Sequence, residues 1–288
     1  MAGAQGQIAR SLVEAAEEHG IFLAAIGRPE LDLTKPDTLS RSIEKVRPDF
    51  VINAAAYTAV DKAEDNSNEA FSINQTGAGF LSAACSKFNI PVVHLSTDYV
   101  FDGTKDTAYS EQDITAPLGV YGHSKLKGEK AVSTANPNHL ILRTAWVYSP
   151  FGNNFVKVML KLGQTRDQLS VVDDQLGSPT YAPHLARCIL QLIDHQHKSG
   201  QADRFWGIYN IAGSGAATWC GLAREIFKIS SDSGGPVARV SPITTAEYPT
   251  SARRPANSRL DCSRLKEIFN ITMPKWQDGV VDCIKRLL

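Results

Sequence analysis

The first half of the chain alternates short apolar segments with longer segments of helical periodicity, and this alternation constrains the fold more than any other feature. Helical spacing of apolar residues predicts helices over residues 7–19, 36–46, 69–87 and 120–135. Apolar runs without polar alternation predict strands at 21–26, 50–53, 91–96 and 139–144. Such strands, separated by helices, are typical of a parallel sheet that is covered on both faces. The sequence therefore predicts an α/β fold with a Rossmann-like, doubly wound parallel sheet.

The second half of the chain is less regular. It predicts helices at about 154–164, 182–195, 218–229 and 276–287, and short strands at 169–172 and 207–211. Residues 230–259 are rich in Ser, Pro and Arg and are predicted to form mostly loop. We expect a dinucleotide-binding domain over residues 1–150. Residues 151–288 would form mainly a smaller α/β substrate domain, with the chain crossing between the two.

Composition excludes several classes of protein. The chain has 30 Lys and Arg residues against 30 Asp and Glu residues, so no excess of cations is present to hold a nucleic acid or an anionic membrane. No apolar run is long enough to span a bilayer, and the N-terminus lacks the pattern of a secretory signal. The five cysteines are scattered and odd in number, which favours reduced thiols in a cytoplasmic protein.

The segment Gly3-Ala-Gln-Gly6-Gln-Ile-Ala9 has the spacing of a loop that binds a pyrophosphate at the start of a helix. Such a loop normally follows a buried strand, yet only Met1 and Ala2 precede Gly3. In a sheet of order 3-2-1-4-5-6 the first strand is central, and strands 2 and 4 both need it as a partner. We therefore expect this strand to be missing here. The natural chain would begin upstream, with an apolar strand of about five residues.

Tyr121 and Lys125 are four residues apart on a predicted helix, so their side chains lie on one face. A phenol with its ordinary pKa is a poor acid at neutral pH, and a nearby ammonium lowers that pKa. The preceding strand ends in Ser96 and Thr97, at the edge of a parallel sheet where ligands bind. This pattern predicts proton transfer to a carbonyl oxygen while a hydride moves to its carbon.

Six segments in chain order carry a resemblance to a known family: NAAAYTAVDKAE (53–64), STDYVFDG (96–103), APLGVYGHSK (116–125), RTAWVY (143–148), GNNF (152–155) and ARRPANSRL (252–260). With these segments the chain resembles the extended short-chain dehydrogenase/reductases, and among them the dTDP-4-dehydrorhamnose reductases. The resemblance covers essentially the whole chain. It implies reduction of dTDP-4-dehydro-L-rhamnose to dTDP-L-rhamnose by hydride transfer from NADPH.

The resemblance also implies roles for individual residues. The catalytic residues would be Tyr121 as proton donor, Lys125 and Thr97. Thr97 and Asp98 would touch the sugar, and Trp146 would wall the hexose site. The expected cofactor-binding residues are Gly3, Gly6, Gln7, Ile8, Arg28, Asp32, Leu33, Ala54, Ala55, Ala56, Tyr121 and Lys125.

Three further residues are assigned from their chemistry. Arg28 follows the predicted strand 21–26, where an arginine favours the 2′-phosphate of NADPH over NADH. Asn154 opens a helix and is placed either to bond a substrate phosphate or to cap that helix. Arg253 lies in a loop and could face the substrate pyrophosphate.

Several alternatives stay open at this point. Members of the resembled family hold magnesium through acidic residues, but this chain has Ser11 at the corresponding place, so we predict no metal ligand and leave Mg²⁺ dependence open. A dehydratase or epimerase would carry Asp-Glu where this chain has Asp98-Tyr99. A non-catalytic regulatory subunit of the same fold is a further alternative. The sequence does not decide the oligomeric state, of which a homodimer is one outcome.

Overall fold

The computed structural model describes residues 1–199 and 205–288. In chain order its helices are α1 (Gln7–Glu18), α2 (Pro36–Val46), α3 (Val60–Asp65), α4 (Ser67–Phe71), α5 (Ala78–Ser86), α6 (Val120–Ala135), α7 (Phe155–Gly163), α8 (Ala182–Lys198), α9 (Trp219–Asp232), α10 (Ser263–Phe269) and α11 (Trp276–Lys285). Its strands are β1 (Val51–Asn53), β2 (Val92–Thr97), β3 (His139–Thr144), β4 (Val147–Tyr148), β5 (Gln168–Val172), β6 (Leu176–Gly177), β7 (Thr180–Tyr181), β8 (Gly207–Asn210), β9 (Ala217–Thr218) and β10 (Arg239–Ile243).

A parallel sheet of order β1-β2-β3-β8 forms the centre of the fold. Its strands carry few exposed residues, because helices cover both faces. One apolar core lies between the sheet and helices that include α1 and α8, and contains Leu12, Ala16, Leu95, Leu142, Leu185 and Ile189. The opposite core lies between the sheet and α2, α5 and α6, and contains Leu39, Ile43, Leu81, Val92, Val132 and Ile141. The predicted doubly wound α/β sheet is therefore confirmed.

Residues 1–3 lie beside β1, at the position of the central strand. The amide of Ala2 donates to the carbonyl of Ile52 at 2.8 Å, and the amide of Gly3 donates to the carbonyl of Ile26 at 2.8 Å. Ala2 thus makes parallel bridges to Ile26 on one side and to Asn53 on the other. The expectation that the first strand is missing is not confirmed, because this short segment pairs with both neighbours.

The strand predicted over residues 21–26 is reduced to the single bridge at Ile26. Its pairing partner is the three-residue segment at Met1–Gly3, so only the end of the apolar run has a neighbour with which to form a ladder. Apolar content alone does not make a strand where the adjacent backbone does not continue. The prediction of a full strand over residues 21–26 was therefore wrong.

The helix predicted over residues 69–87 is interrupted. A π-helical segment, Ser72–Gly77, separates α4 from α5. In this segment the side chain of Asn74 accepts from the amide of Tyr57 at 2.8 Å and donates to the carbonyl of Tyr57 at 3.0 Å. It also donates to the hydroxyl of Ser124 on α6 at 2.9 Å. The π segment therefore ties the loop after β1 to α6, which carries the predicted catalytic pair.

A second lobe has its own apolar core, built from α7, α9, α11 and short strands. There β10 pairs in parallel with β5, in a segment that the sequence predicted to be mostly loop. The prediction was wrong for β10 because Ser241 and Pro242 interrupt its apolar pattern. Proline removes a ladder hydrogen bond and is tolerated at an edge strand such as this one. Within the two described ranges, no helix has the length and hydropathy needed to cross a membrane.

Candidate active site

The predicted catalytic residues meet at the carboxyl end of the sheet. Thr97 is the last residue of β2, and Tyr121 and Lys125 lie on the first two turns of α6, which packs on that strand. The start of α6 is held by Glu64 of α3, whose Oε1 accepts from the amide of Val120 at 2.9 Å. Gly119 leaves room for this carboxylate, since a Cβ there would lie 2.6 Å from Glu64 Oε1. The structure thus places the Thr97 hydroxyl within hydrogen-bonding reach of Tyr121, and Lys125 follows one turn further along the same helix.

Tyr121 is a phenol whose ring is partly exposed and packs edge-on against Tyr99, with 5.7 Å between ring centroids. Burial raises the pKa of Tyr121 to about 12, the hydroxyl of Thr97 acts to lower it, and the carboxylate of Asp98 raises it further. Tyr121 is therefore protonated at neutral pH, which is the form that a proton donor requires.

Lys125 is buried, and its Nζ donates to the carbonyl of Leu95 at 2.5 Å. Burial lowers the pKa of Lys125 to about 8, while the negative charge of Glu129 acts in the opposite direction. The side chain is therefore mostly charged at neutral pH. The pKa of Tyr121 responds to burial, Thr97 and Asp98, so the lowering expected from the Lys125 ammonium is not found.

Asp98 follows Thr97 directly and is also buried. The hydroxyl of Thr97 donates to Asp98 Oδ1 at 3.0 Å and accepts from the amide of Tyr99 at 3.2 Å. Burial raises the pKa of Asp98 to about 6, although hydrogen bonds from Ser258 and Thr97 act to lower it. Asp98 thus changes charge at a pH well above that of an ordinary aspartate.

The glycine-rich loop has the geometry that a pyrophosphate needs. Gly6 is the N-cap of α1 and provides no side-chain cap, and a Cβ on it would meet nothing within 4 Å. The amide groups at the start of α1 are therefore open toward space beside the loop. Gly3 has a φ of +95°, and a Cβ there would lie 3.2 Å from the backbone of Ala54 and Ala55. The uncapped start of α1 and the lack of side chains at Gly3 and Gly6 fit the pyrophosphate of a dinucleotide.

Other predicted cofactor residues are spread around this loop. Ile8, Ala54, Ala55 and Ala56 are partly exposed beside it, and Arg28 is exposed. Asp32 accepts from the amide and the hydroxyl of Thr34, which lowers its pKa.

Leu33 differs from the expectation, because its side chain is buried in the core against Gly77. A Cβ added at Gly77 would lie 2.7 Å from the Cβ of Leu33. Leu33 therefore packs in the apolar core with residues of α2 and α5.

Gln7 and Asn154 bind each other across the molecule. Gln7 Oε1 accepts from the hydroxyl of Ser149 at 2.8 Å and from Asn154 Nδ2 at 2.9 Å. Asn154 also accepts from the amide of Lys157 at 3.2 Å, so it caps α7. Of the two roles considered for Asn154, the structure supports the helix cap. The hydrogen bonds from Ser149 and Asn154 also occupy the side chain of Gln7. Its backbone amide is therefore the group of this residue that remains near the glycine-rich loop.

Trp146 lies at the junction between the sheet and the second lobe, with a φ of +45°. Its ring stacks on that of Trp219 with 3.5 Å between centroids and 5° between planes. Trp219 in turn packs on Phe155, at 4.8 Å, and donates to Gln175 Oε1 at 3.1 Å. Sequence reasoning missed Trp219, because 73 residues separate it from its partner and no local pattern marks the pair.

Arg253 is exposed, whereas the adjacent Arg254 binds Asp61 of α3 with 2.8 Å between Nη2 and Oδ2. The amide of Ala252 also donates to Asp61, at 3.2 Å. This loop is therefore fastened to α3, which follows Ala54–Ala56 in the chain. In the two described ranges no group of three or more His, Cys, Asp or Glu residues is arranged to hold a metal ion. Ser11 instead donates to the carbonyl of Gln7 at 2.8 Å.

A Rossmann-type sheet, a Tyr–Lys pair at its carboxyl edge and an open helix start define the short-chain dehydrogenase/reductase class, here with a second lobe after the sheet. Over residues 1–288 the chain matches the family described as the RmlD substrate binding domain, and it belongs to this family.

Individual relatives agree with that assignment. A dTDP-4-dehydrorhamnose reductase from Sinorhizobium fredii is 46% identical over 286 residues, which are 99% of this chain and 96% of the relative. The crystal structure of such a reductase from Clostridium acetobutylicum superposes with a TM-score of 0.92 at 35% identity, covering 99% and 98% of the two chains. A Bacillus anthracis structure in complex with NADP gives a TM-score of 0.91 at 34% identity, covering 99% and 97%.

Proposed function

We propose that this protein reduces the C4 ketone of dTDP-4-dehydro-L-rhamnose to give dTDP-L-rhamnose, with NADPH as the reductant. The observation that carries the proposal is the position of protonated Tyr121 beside Thr97 and near buried Lys125, at the sheet edge next to an open helix start. Relatives named as this reductase, and one of them with NADP bound, support the choice of reaction. When bound, NADPH supplies the hydride that reduces the carbon.

The chain itself supplies the proton and the orientation. As the C4 carbon gains a hydride, its oxygen gains negative charge, and the Tyr121 hydroxyl gives that oxygen a proton. Charged Lys125 would stabilise the phenolate that is left. Its Nζ donates to the carbonyl of Leu95, and a further N–H of the ammonium would donate to the nicotinamide ribose. The Thr97 hydroxyl lies within hydrogen-bonding distance of Tyr121, and it would bind the carbonyl oxygen of the substrate. Solvent then returns a proton to Tyr121.

Binding residues follow from the same arrangement. The Trp146 ring, which stacks on Trp219, would form one side of the hexose site. An aromatic ring suits this position because it packs well on the apolar C–H surface of a sugar. Asp98 would contact the sugar, and exposed Arg253 would face the pyrophosphate. Gly3, Gly6 and the start of α1 would hold the cofactor pyrophosphate. Arg28, exposed on the far side of the loop, would bind the 2′-phosphate that distinguishes NADPH from NADH.

The direct test is NADPH oxidation by the purified protein on addition of dTDP-4-dehydro-L-rhamnose, with the product identified by NMR. A parallel assay with NADH measures the cofactor preference. Binding of NADPH without turnover of this substrate would refute the reductase and favour a non-catalytic subunit of the same fold. Conversion of another nucleotide sugar without net NADPH consumption would indicate an epimerase or dehydratase.

We also infer a homodimer in the cytoplasm as the working form. Sedimentation of the purified protein measures whether it is a dimer. Fractionation of the producing cell measures whether it is in the cytoplasm.

A further inference from the structure

A fully buried ion pair lies below the Tyr–Lys pair. Glu129 is on α6, one turn beyond Lys125, and both its carboxylate and the Arg143 guanidinium of β3 are 3% exposed. Arg143 Nε donates to Glu129 Oε1 at 2.9 Å, and Nη2 donates to Oε2 at 2.7 Å. Ser96, the residue before Thr97, donates its hydroxyl to Glu129 Oε1 at 2.5 Å. The carboxylate is therefore held by the strand that ends in the catalytic threonine.

Position on the helix connects this ion pair with the chemistry. Tyr121, Lys125 and Glu129 recur every four residues, so they share the face of α6 that packs on the sheet. Lys125 Nζ reaches the carbonyl of Leu95, the residue before Ser96 on β2. The amine and the carboxylate are thus fastened to adjacent residues of one strand.

A buried ion pair is costly to form, and hydrophobic residues in its place are often equally stable or more so. Glu129 and Arg143 lie in a protein that has ample apolar core on the same face of the sheet. Stability alone does not explain why three polar side chains are desolvated directly beneath the active site. A role toward Lys125 does explain it, because a buried ammonium needs a nearby negative charge to stay protonated.

We propose that Glu129, clamped by Arg143 and Ser96, is a positioning residue that keeps Lys125 charged during the reaction. The proposal rests on the reductase function proposed above and assigns a role within it. Glu129 touches neither substrate nor cofactor and acts only through the lysine. Arg143 and Ser96 hold the carboxylate at one place, and Arg143 is itself fixed over the ring of Phe101, with 5.2 Å from its Cζ to the ring centroid.

The charged and titratable groups around Lys125 define how pH acts on it. On α6 these are Tyr121 and Glu129, and on β3 it is Arg143, whose charge is neutralised by Glu129. On β2 it is His94, which is buried and whose pKa lies well below its usual range because of desolvation and the positive charge of Lys125. Asp98 faces the tyrosine from the turn after β2. Of these, only Glu129 is a negative charge that raises the pKa of Lys125.

The substitution Glu129→Gln keeps the shape and one acceptor for Arg143 but removes the charge. The pKa of Lys125, about 8 in the native chain, then falls by roughly one unit. Since the protonated lysine is the active form, the alkaline fall of kcat/KM for the sugar moves to lower pH by the same amount. Above both midpoints the variant is about tenfold slower than the native protein, and below both it is nearly as active.

Two variants separate positioning from a structural role. Arg143→Gln breaks the same ion pair but keeps the Glu129 carboxylate, so a structural role predicts the downward shift of Glu129→Gln and the positioning role predicts no downward shift. Glu129→Asp restores the charge and should return the alkaline midpoint toward its native value. Thermal unfolding of each variant confirms that it is folded.

A second measurement does not depend on turnover. NMR of protein labelled at lysine Cε, with the Lys125 signal assigned by Lys125→Arg, gives the pKa of Lys125 directly. A lower pKa in Glu129→Gln supports the inference even if the dTDP-sugar is not the substrate. An unchanged pKa overturns it, and so does a turning-over variant whose pH profile matches that of the native protein. Failure of the native protein to reduce the sugar would instead overturn the proposed function.

Discussion

Gly177 lies directly against the indole of Trp146, and this contact allows a sharp test of the proposed sugar wall. A Cβ at Gly177 would be 2.3 Å from Cε2 and 2.5 Å from Cζ2 of Trp146. Carbon atoms need about 3.5 Å, so the substitution Gly177→Ala must displace the indole by about 1.2 Å. The backbone of Gly177 does not require glycine, since its φ is not in the positive range. The variant therefore displaces the Trp146 ring, and with it the stack of this ring on Trp219, while the backbone conformation is kept.

The expected consequence is a loss of catalytic efficiency with an unchanged cofactor site. Displacement of a positioning group by about 1 Å can cost on the order of 100-fold in rate. We expect kcat/KM for dTDP-4-dehydro-L-rhamnose to fall roughly 10- to 100-fold in Gly177→Ala. The dissociation constant of NADPH, measured by fluorescence titration, should stay at its native value, because the glycine-rich loop lies on the other lobe.

A matched control exists in the same lobe. A Cβ at Gly163, the last residue of α7, would lie 2.6 Å from Cε1 of Phe227 in the core. Gly163→Ala is overpacked to a similar degree, and both variants should lose about 1–3 kcal/mol in urea unfolding. Only Gly177→Ala should lose activity. If its kcat/KM stays within about twofold of the native value, Trp146 does not form the wall of the sugar site.

Three further predictions concern the site. Tyr121→Phe should lower kcat by about 10²- to 10⁴-fold while NADPH still binds, and an active variant would assign the proton to another group. Gly3→Ala places a side chain at φ +95° and 3.2 Å from Ala54, so NADPH should bind at least about tenfold more weakly in titration while the sugar lobe stays folded. Asp98 has a pKa raised to about 6, so native stability should decrease as pH rises from its ordinary pKa, 3.8, through 6, by at most about 3 kcal/mol. Asp98→Asn should remove that decrease in urea unfolding, and parallel pH–stability curves for the two proteins would contradict the assignment.

Local signals allowed part of the fold to be predicted. Helix α2 begins at Pro36 and ends at Val46 as expected, because proline favours a first helical turn and the apolar spacing continues to the end. Strand β3 is buried along its length, so its apolar run marks both ends. By contrast, β10 is paired by β5, which is distant in the chain, and in the run 21–26 the bonds to Met1–Gly3 are made by Ala24 and Ile26. Whether such segments form strands depends on pairing with residues that are distant in the chain, and local sequence patterns do not encode that pairing.

The same distinction applies to the site. Tyr121 and Lys125 could be predicted as a pair, because a spacing of four residues on one helix places both side chains on the same face. Glu129 carries the same spacing one turn further on, so that signal was present in the sequence as well. Trp219 could not be found, since it reaches Trp146 only through the packing of the second lobe.

Helix α3 shows how residues that bear no chemistry of their own complete this site. Its segment follows Ala54–Ala56, and two of its three carboxylates, those of Glu64 and Asp61, bind different partners. Glu64 caps the start of α6 through the amide of Val120, which fixes where Tyr121 stands. Asp61 holds the loop of Arg254 and the amide of Ala252. One short helix thus holds both the start of the helix that carries Tyr121 and the loop at residues 252–254.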